Sequence, residues 1–213
     1  MKKYSVIIPT MWRSHYIHKI LPLLLEQKEV EEIIIINNLK EEYKGQYEGF
    51  SKIKFITPDN NLYVNPSWNL GVKKATQENI ILCSDDIFFD PKIYFYLLEQ
   101  IDITDVGFIG MSRENFDIKS PSSPSLISYQ PSTWGWGTLI AFNKLNWVPI
   151  PEVLKVWCGD SFMIEVNKAP THTLQGIPVE TQMSTTVDRK EFSQVKENDL
   201  KNWINVLNTF RNA

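Results

Sequence analysis

Short apolar runs and stretches with helical spacing alternate along the chain, each closed by polar residues. Tyr4 to Ile8 is apolar apart from Ser5 and stops at Pro9-Thr10, which predicts a buried strand. Ile17, Ile20, Leu21, Leu24 and Leu25 then fall at i, i+3, i+4, i+7 and i+8, the spacing of one helix face. Ser14 is placed to cap that helix, and Pro22 to kink it or mark its true first turn. Ile33 to Ile36 is a run of β-branched residues without polar alternation, a strand buried on both faces that ends in Asn37-Asn38. Ile53 to Ile56 predicts a third, shorter strand. Asn65-Pro66 reads as a helix start, Asn as N-cap and Pro first in the helix, with Trp68, Val72 and Ala75 on one face. Ile80 to Cys83 is a fourth buried strand, stopped by Ser84-Asp85-Asp86. Asp90-Pro91 repeats the cap-and-proline device before a helix through Leu97-Leu98, and Val106 to Ile109 is a further strand.

That order, β-α-β-β-α-β-α-β, predicts an α/β fold with a mostly parallel central sheet flanked by helices. The second half differs. Ser120 to Ser132 holds three prolines and six serines and reads as a mobile loop. Thr138 to Phe142 predicts a strand and Asp160 to Val166 a short helix. Thr171 to Leu174 and Val179 to Val187 read as extended, and Leu200, Trp203, Ile204 and Leu207 give a last helix its apolar face. No internal repeat or linker stands out, so 1–213 reads as a single domain, with 1–110 and 111–213 as its halves.

Composition narrows the function. The 213 residues are 43% hydrophobic and 22% charged, with a formal net charge of −3. This excludes disorder and gives no basic field for nucleic acid or an anionic membrane. Two cysteines, Cys83 and Cys158, exclude a disulfide scaffold and a Cys-based zinc set. No run is long enough for a membrane span and no secretory signal opens the chain, so a cytoplasmic protein is expected. The charge runs Lys28–Glu32 and Lys40–Lys44 read as solvated surface. His15 and His18 read as surface residues and His172 as a structural histidine.

In open α/β sheets, ligands sit beyond the carboxyl ends of the strands. The residues to watch are therefore Pro9-Thr10 to Arg13, Asn37-Asn38, Ser84-Asp85-Asp86 and the stretch Trp134 to Gly137. Adjacent carboxylates there repel unless a cation offsets them, and oxygen ligands suit Mg²⁺ or Mn²⁺. A plain turn explains Asp85-Asp86 equally well. Asp160, after Gly159, reads as a helix cap or as a catalytic base. Trp134 and Trp136, flanked by glycines, read as sugar-stacking faces or as core residues at a tight corner.

Together these residues carry a resemblance. Tyr4 to Thr10 resembles the opening strand of nucleotide-sugar glycosyltransferases of the GT-A (Rossmann-like) fold, especially the inverting family 2. Glu32 to Asn38 resembles their second strand. Ser67-Trp68-Asn69-Leu70-Gly71 with Ala75 resembles their Arg-Asn-x-Gly…Ala segment. Ile80 to Asp86 resembles the strand into the Asp-x-Asp motif, and Gly159-Asp160 the Glu-Asp pair that supplies the base. The likeness runs in chain order over roughly 4–187. Small single-domain versions occur in bacteria and large viruses, and the resemblance extends to glycosyltransferase domains of chlorella viruses. A viral member would work in the host cytoplasm.

The resemblance implies a metal-dependent, inverting transfer from a nucleotide-sugar, UDP-sugar favoured, to a glycan hydroxyl. Pro9, Thr10, Arg13, Asn37, Asn69 and Asp85 would border the donor. Asp86, helped by Asp85, would hold Mn²⁺ or Mg²⁺. Asp160 would be the base, and Trp134 and Trp136 would hold the acceptor. Four departures stand out. Ser84 replaces the first acid of the motif, Asn37 the acid that meets the uracil, and Gly159 the Glu of the pair, leaving Asp160 alone as base. No histidine follows the last core strand. A sugar nucleotidyltransferase is the first competitor, although Met11-Trp12-Arg13-Ser14 lacks its Gly-rich phosphate loop. A non-enzymatic sugar-binding module is the second.

Overall fold

The computed structural model describes residues 1–39, 47–131, 134–182 and 190–211. The elements run β1 (Tyr4–Thr10), α1 (Tyr16–Leu25), β2 (Val30–Asn37), β3 (Ile53–Ile56), α2 (Val64–Lys74), β4 (Asn79–Cys83), β5 (Ile87–Phe89), α3 (Pro91–Glu99), β6 (Phe108–Met111), β7 (Ser125–Ser128), β8 (Leu139–Asn143), α4 (Gly159–Val166), β9 (His172–Gln175), β10 (Val179–Thr181) and α5 (Ser193–Arg211). Eight strands form one sheet in the order β3-β2-β1-β4-β8-β6-β9-β7, and β5 pairs with β10 in a small second sheet. β3, β2, β1 and β4 are mutually parallel. β8 runs antiparallel between β4 and β6, and the edge strand β7 is antiparallel to β9.

The apolar runs form the buried strands because helices cover both sheet faces. On one face Val6, Ile8, Ile33 and Ile35 pack with Ile17, Ile20, Leu21 and Leu24 of α1 and with Tyr94, Phe95 and Leu98 of α3. On the other, Ile7, Ile34, Ile36 and Leu82 pack with Trp68 and Val72 of α2 and with Phe162 and Met163 of α4. Successive strand residues point to opposite faces, so an unbroken isoleucine run serves both layers.

Several expectations are corrected. Of the two places open to Pro22, the structure shows the one inside α1 rather than at its first turn. Pro22 cannot donate to the carbonyl of His18, and the Tyr47 hydroxyl donates there instead, at 3.3 Å. Ser14 accepts from the Tyr16 N–H at 3.1 Å just ahead of the helix. Asn65 is not the cap of α2, which begins at Val64 after Tyr63. Its amide is drawn away to the Leu154 and Trp157 carbonyls, at 3.2 and 3.3 Å. Asp90, by contrast, caps α3 as expected, accepting from the Lys92 N–H at 2.8 Å. The Ser/Pro-rich segment contains the edge strand β7, its prolines lying outside the ladder. Glu32 is buried rather than solvated, because Lys54, Ser5 and Thr76 surround its carboxylate. The run Lys40–Lys44 and the extended stretch past residue 182 lie outside the described residues. Among the described residues, no helix is long and apolar enough to cross a membrane.

Candidate functional site

The parallel strands β1, β2 and β4 end together at Thr10, Asn37 and Cys83. Because β8 is antiparallel to β4, its first residue, Leu139, lies beside Cys83, which brings the Gly135–Thr138 turn to the same edge. The Ser84 N–H donates to the Thr138 carbonyl at 2.8 Å, tying this turn to the acidic one. A cavity of about 220 Å³ opens there. Pro9, Thr10, Asn38, Asp85, Asp86 and Thr138 line it, with Tyr63, Trp68, Val156 and Phe192 as its apolar walls.

The two carboxylates differ in their partners. Asp85 accepts from the Thr10 hydroxyl at 2.6 Å, and Thr10 in turn accepts from the Trp12 N–H at 2.8 Å. Burial pushes the Asp85 carboxyl up to about 6, and neighbouring Asp86 adds to this, against the bonds from Thr10 and the Met11 backbone. Burial also raises Asp86. The backbone carbonyl of Asp86 is pinned by the Gln182 N–H at 2.9 Å and the Thr181 hydroxyl at 3.0 Å, both from the β10 side. Two acids held together against their mutual repulsion fit a divalent cation, with Asp85 oriented by Thr10. No group of three or more His, Cys, Asp or Glu side chains stands together among the described residues.

Asp160 reaches the same edge from α4. It is the second residue of the helix rather than its cap; Cys158 precedes the helix in the left-handed region, at φ 62°. One oxygen of Asp160 accepts from the Ser161 N–H at 2.8 Å. The other lies only 3.0 Å from where a Cβ on Gly137 would stand. Gly137 thus lets the carboxylate lie against the turn that supplies Thr138 to the cavity. Burial raises the Asp160 carboxyl above the usual carboxylate range.

Five further sequence-derived candidates stand outside the cavity lining. The Asn37 carbonyl oxygen accepts from the Trp12 indole N–H at 3.1 Å and from the Leu39 N–H, while its amide donates to the Thr57 hydroxyl. Asn38, not Asn37, lines the cavity. Asn69 makes a two-point bond with the Ile150 backbone, at 2.8 and 2.9 Å, and serves packing. Trp136 is corrected from acceptor face to core. It is 1% exposed, donates to the His172 carbonyl at 3.0 Å and lies over Gly110, where a Cβ would be 2.4 Å from its ring. Arg13 is half-buried in the loop after β1 and outside the cavity lining. Trp134 is 47% exposed, edge-on to Phe116, and keeps an open face.

Sequence reasoning missed Tyr63, Val156 and Phe192. One backbone feature marks this region. Among the described residues, the non-glycine residues with positive φ are Trp12, Tyr63 and Cys158, at 56°, 64° and 62°. Trp12 follows β1, Tyr63 lines the cavity, and Cys158 stands two residues before Asp160. Such backbone is costly and concentrates where function demands a fixed geometry.

The model of "Glycosyl transferase family 2" matches residues 5–166. No curated protein matches the chain. Among solved structures, S. aureus TarS 1–349 superposes with a TM-score of 0.62 at 16% identity, over 93% of this chain and 70% of that one. The same fragment in complex with UDP-GlcNAc gives 0.62 at 14% identity, over 91% and 64%. GalNAc-T7 with UDP, GalNAc and Mn²⁺ gives 0.62 at 12% identity, over 97% and 48%. Likeness at these identities shows a shared fold.

Proposed function

The chain belongs to glycosyl transferase family 2, and from that premise we propose that it moves a sugar from a nucleoside-diphosphate donor to a glycan hydroxyl with inversion at the anomeric carbon. The observation that carries this reading is the convergence of three acids on one strand edge. Asp85 and Asp86 line the cavity, and Asp160 stands against the turn beside it. The family match leaves the nucleotidyltransferase and the passive sugar-binding module without support.

In this reading the donor diphosphate lies over the carboxyl ends of β1 and β4, bordered by Pro9 and Thr10. UDP-sugar is favoured, since TarS and GalNAc-T7 are seen with UDP or UDP-GlcNAc. Asp86 would hold Mn²⁺ or Mg²⁺, with Asp85 kept in place by the Thr10 hydroxyl. When bound, the cation supplies Lewis-acid stabilisation of charge on the departing diphosphate. Asp160 takes the proton from the acceptor hydroxyl, whose oxygen attacks the anomeric carbon as the bond to the diphosphate breaks. Burial makes Asp160 a stronger base than a solvated carboxylate. The acceptor approaches over Trp134. The donor thus rests mainly on the first half of the chain, with the base and the acceptor on the second.

The test is nucleoside-diphosphate release from a panel of nucleotide-sugars with Mn²⁺ and oligosaccharide acceptors, with the product's anomeric configuration read by NMR. Acceptor-dependent release with inversion is expected. Retention of configuration, or no release from any donor, overturns the reading.

A further inference from the structure

The family match ends at residue 166, yet α5 grips the elements that carry Asp160. Asp199, in the middle of α5, is fully buried. Its carboxylate accepts three backbone N–H groups in succession, from Lys155 at 2.9 Å, Val156 at 2.7 Å and Trp157 at 2.9 Å. A buried carboxylate needs such partners, and here they all come from the loop that leads into α4. Other α5 residues hold the same region. Asn202 donates to the Val153 carbonyl at 3.1 Å, and the Lys196 ammonium lies 5.7 Å from the Trp157 ring. Phe210 packs edge-on to Phe162 of α4 at 5.1 Å, and Arg211 pairs with Glu165 at 2.8 Å.

From the opposite side, buried Asn65 of α2 holds the same loop through the Leu154 and Trp157 carbonyls. A Cβ on Gly159 would lie 2.1 Å from its oxygen. The loop is thus pinned through its N–H groups by Asp199 and through its carbonyls by Asn65. It then passes through the left-handed turn at Cys158 into Asp160.

We propose that Asp199 is a positioning residue for the transfer reaction: it sets the register of the 155–157 loop and thereby the place of the Asp160 carboxylate against Gly137. This rests on the reading of Asp160 as the base. Misplacing a reacting group by about an ångström can cost on the order of a hundredfold in rate.

Three variants separate positioning from mere stability. Asp199→Ala removes the anchor, Asp199→Asn retains part of it, and Asn202→Ala removes a bond between the same helix and the same region outside the anchored triplet. Each is measured well below its melting temperature. For Asp199→Ala, kcat is expected to fall about tenfold or more while donor KM changes much less, with Asp199→Asn intermediate and Asn202→Ala unchanged. Amide hydrogen exchange supplies a readout independent of turnover. In Asp199→Ala, protection should fall at Lys155, Val156 and Trp157 and also at Ser161, whose N–H reports on Asp160. Loss of protection at 155–157 with Ser161 protection and kcat unchanged would overturn the proposal, as would an equal loss of kcat in Asn202→Ala. If the wild-type chain transfers no sugar at all, the reading of the site fails, and exchange at Ser161 alone decides the positioning claim.

Discussion

In the proposed mechanism the chemistry turns on Asp160, and one substitution separates catalysis from a role at the helix N-terminus. Asp160→Asn keeps an oxygen for the Ser161 N–H, so stability should change by no more than about 1 kcal/mol from the lost charge near the helix N-terminus. The amide cannot take a proton, so transfer should fall by about a hundredfold or more while donor affinity persists. Rate and affinity measured on the same variant check this, and near-normal transfer moves the base elsewhere. Burial shifts the Asp160 carboxyl upward from its ordinary value, which favours the protonated form relative to a solvated carboxylate. The rate should therefore rise with pH through a midpoint shifted upward from that of an ordinary aspartate, and a rate independent of pH across the acidic range would contradict the assignment. The place of Asp85, Asp86, Pro9 and Thr10 at the cavity could be read from the sequence because they end or closely follow buried strands. Asn37, Asn69 and Trp136 were not, because the groups that claim them, Trp12, Ile150 and His172, come from elsewhere in the fold. Adjacent strand residues point to opposite sides, so a run of isoleucines does not say which of two following asparagines meets the cavity.

The long apolar strands and the Asp90-Pro91 start of α3 could be read locally, since burial on both faces and capping leave local marks. β5 and β7 could not. β5 spans only Ile87–Phe89 and exists through its pairing with β10, some ninety residues on. β7 forms from a Ser/Pro-rich stretch because β9 offers it an edge. The helix start at Val64 depends likewise on the loop that claims Asn65. At the opposite end of the sheet, Glu32 joins several elements. It accepts from Ser5 of β1 at 2.5 Å, from Lys54 of β3 at 2.6 Å and from the Thr76 N–H and hydroxyl at 2.6 and 2.7 Å. Burial alone would raise its carboxyl, but these bonds draw it down from 4.5 to about 2. A depressed folded value means that the charged carboxylate stabilises the fold above the unfolded value, a benefit lost as pH falls towards about 2. Glu32→Gln should cost about 1–3 kcal/mol at neutral pH, shrinking across that acidic window. Denaturant titrations at several pH values test it, and a penalty independent of pH would contradict it.

At the scale of the whole molecule, the fold gathers acids from distant parts of the sequence onto one edge; Phe192, just ahead of α5, walls the cavity, and Asp199 of α5 anchors the loop that brings Val156 to it. Net charge supplies no long-range field for an anionic donor, since the chain carries −3. Donor binding would therefore rest on local chemistry, which in the proposed reading is a divalent cation that Asp85 and Asp86 would hold. Anything that binds the folded state alone raises its stability. The most direct test is the melting temperature of the wild-type chain and of Asp86→Ala with UDP-sugar, Mn²⁺, both or neither. The wild type should be stabilised by the two together far more than by the sum of each alone. Asp86→Ala should melt near the wild-type temperature without ligand, since losing one of two repelling acids costs the fold little. It should also lose the joint effect. Equal joint stabilisation of both proteins, or none in the wild type with any nucleotide-sugar, would contradict the account.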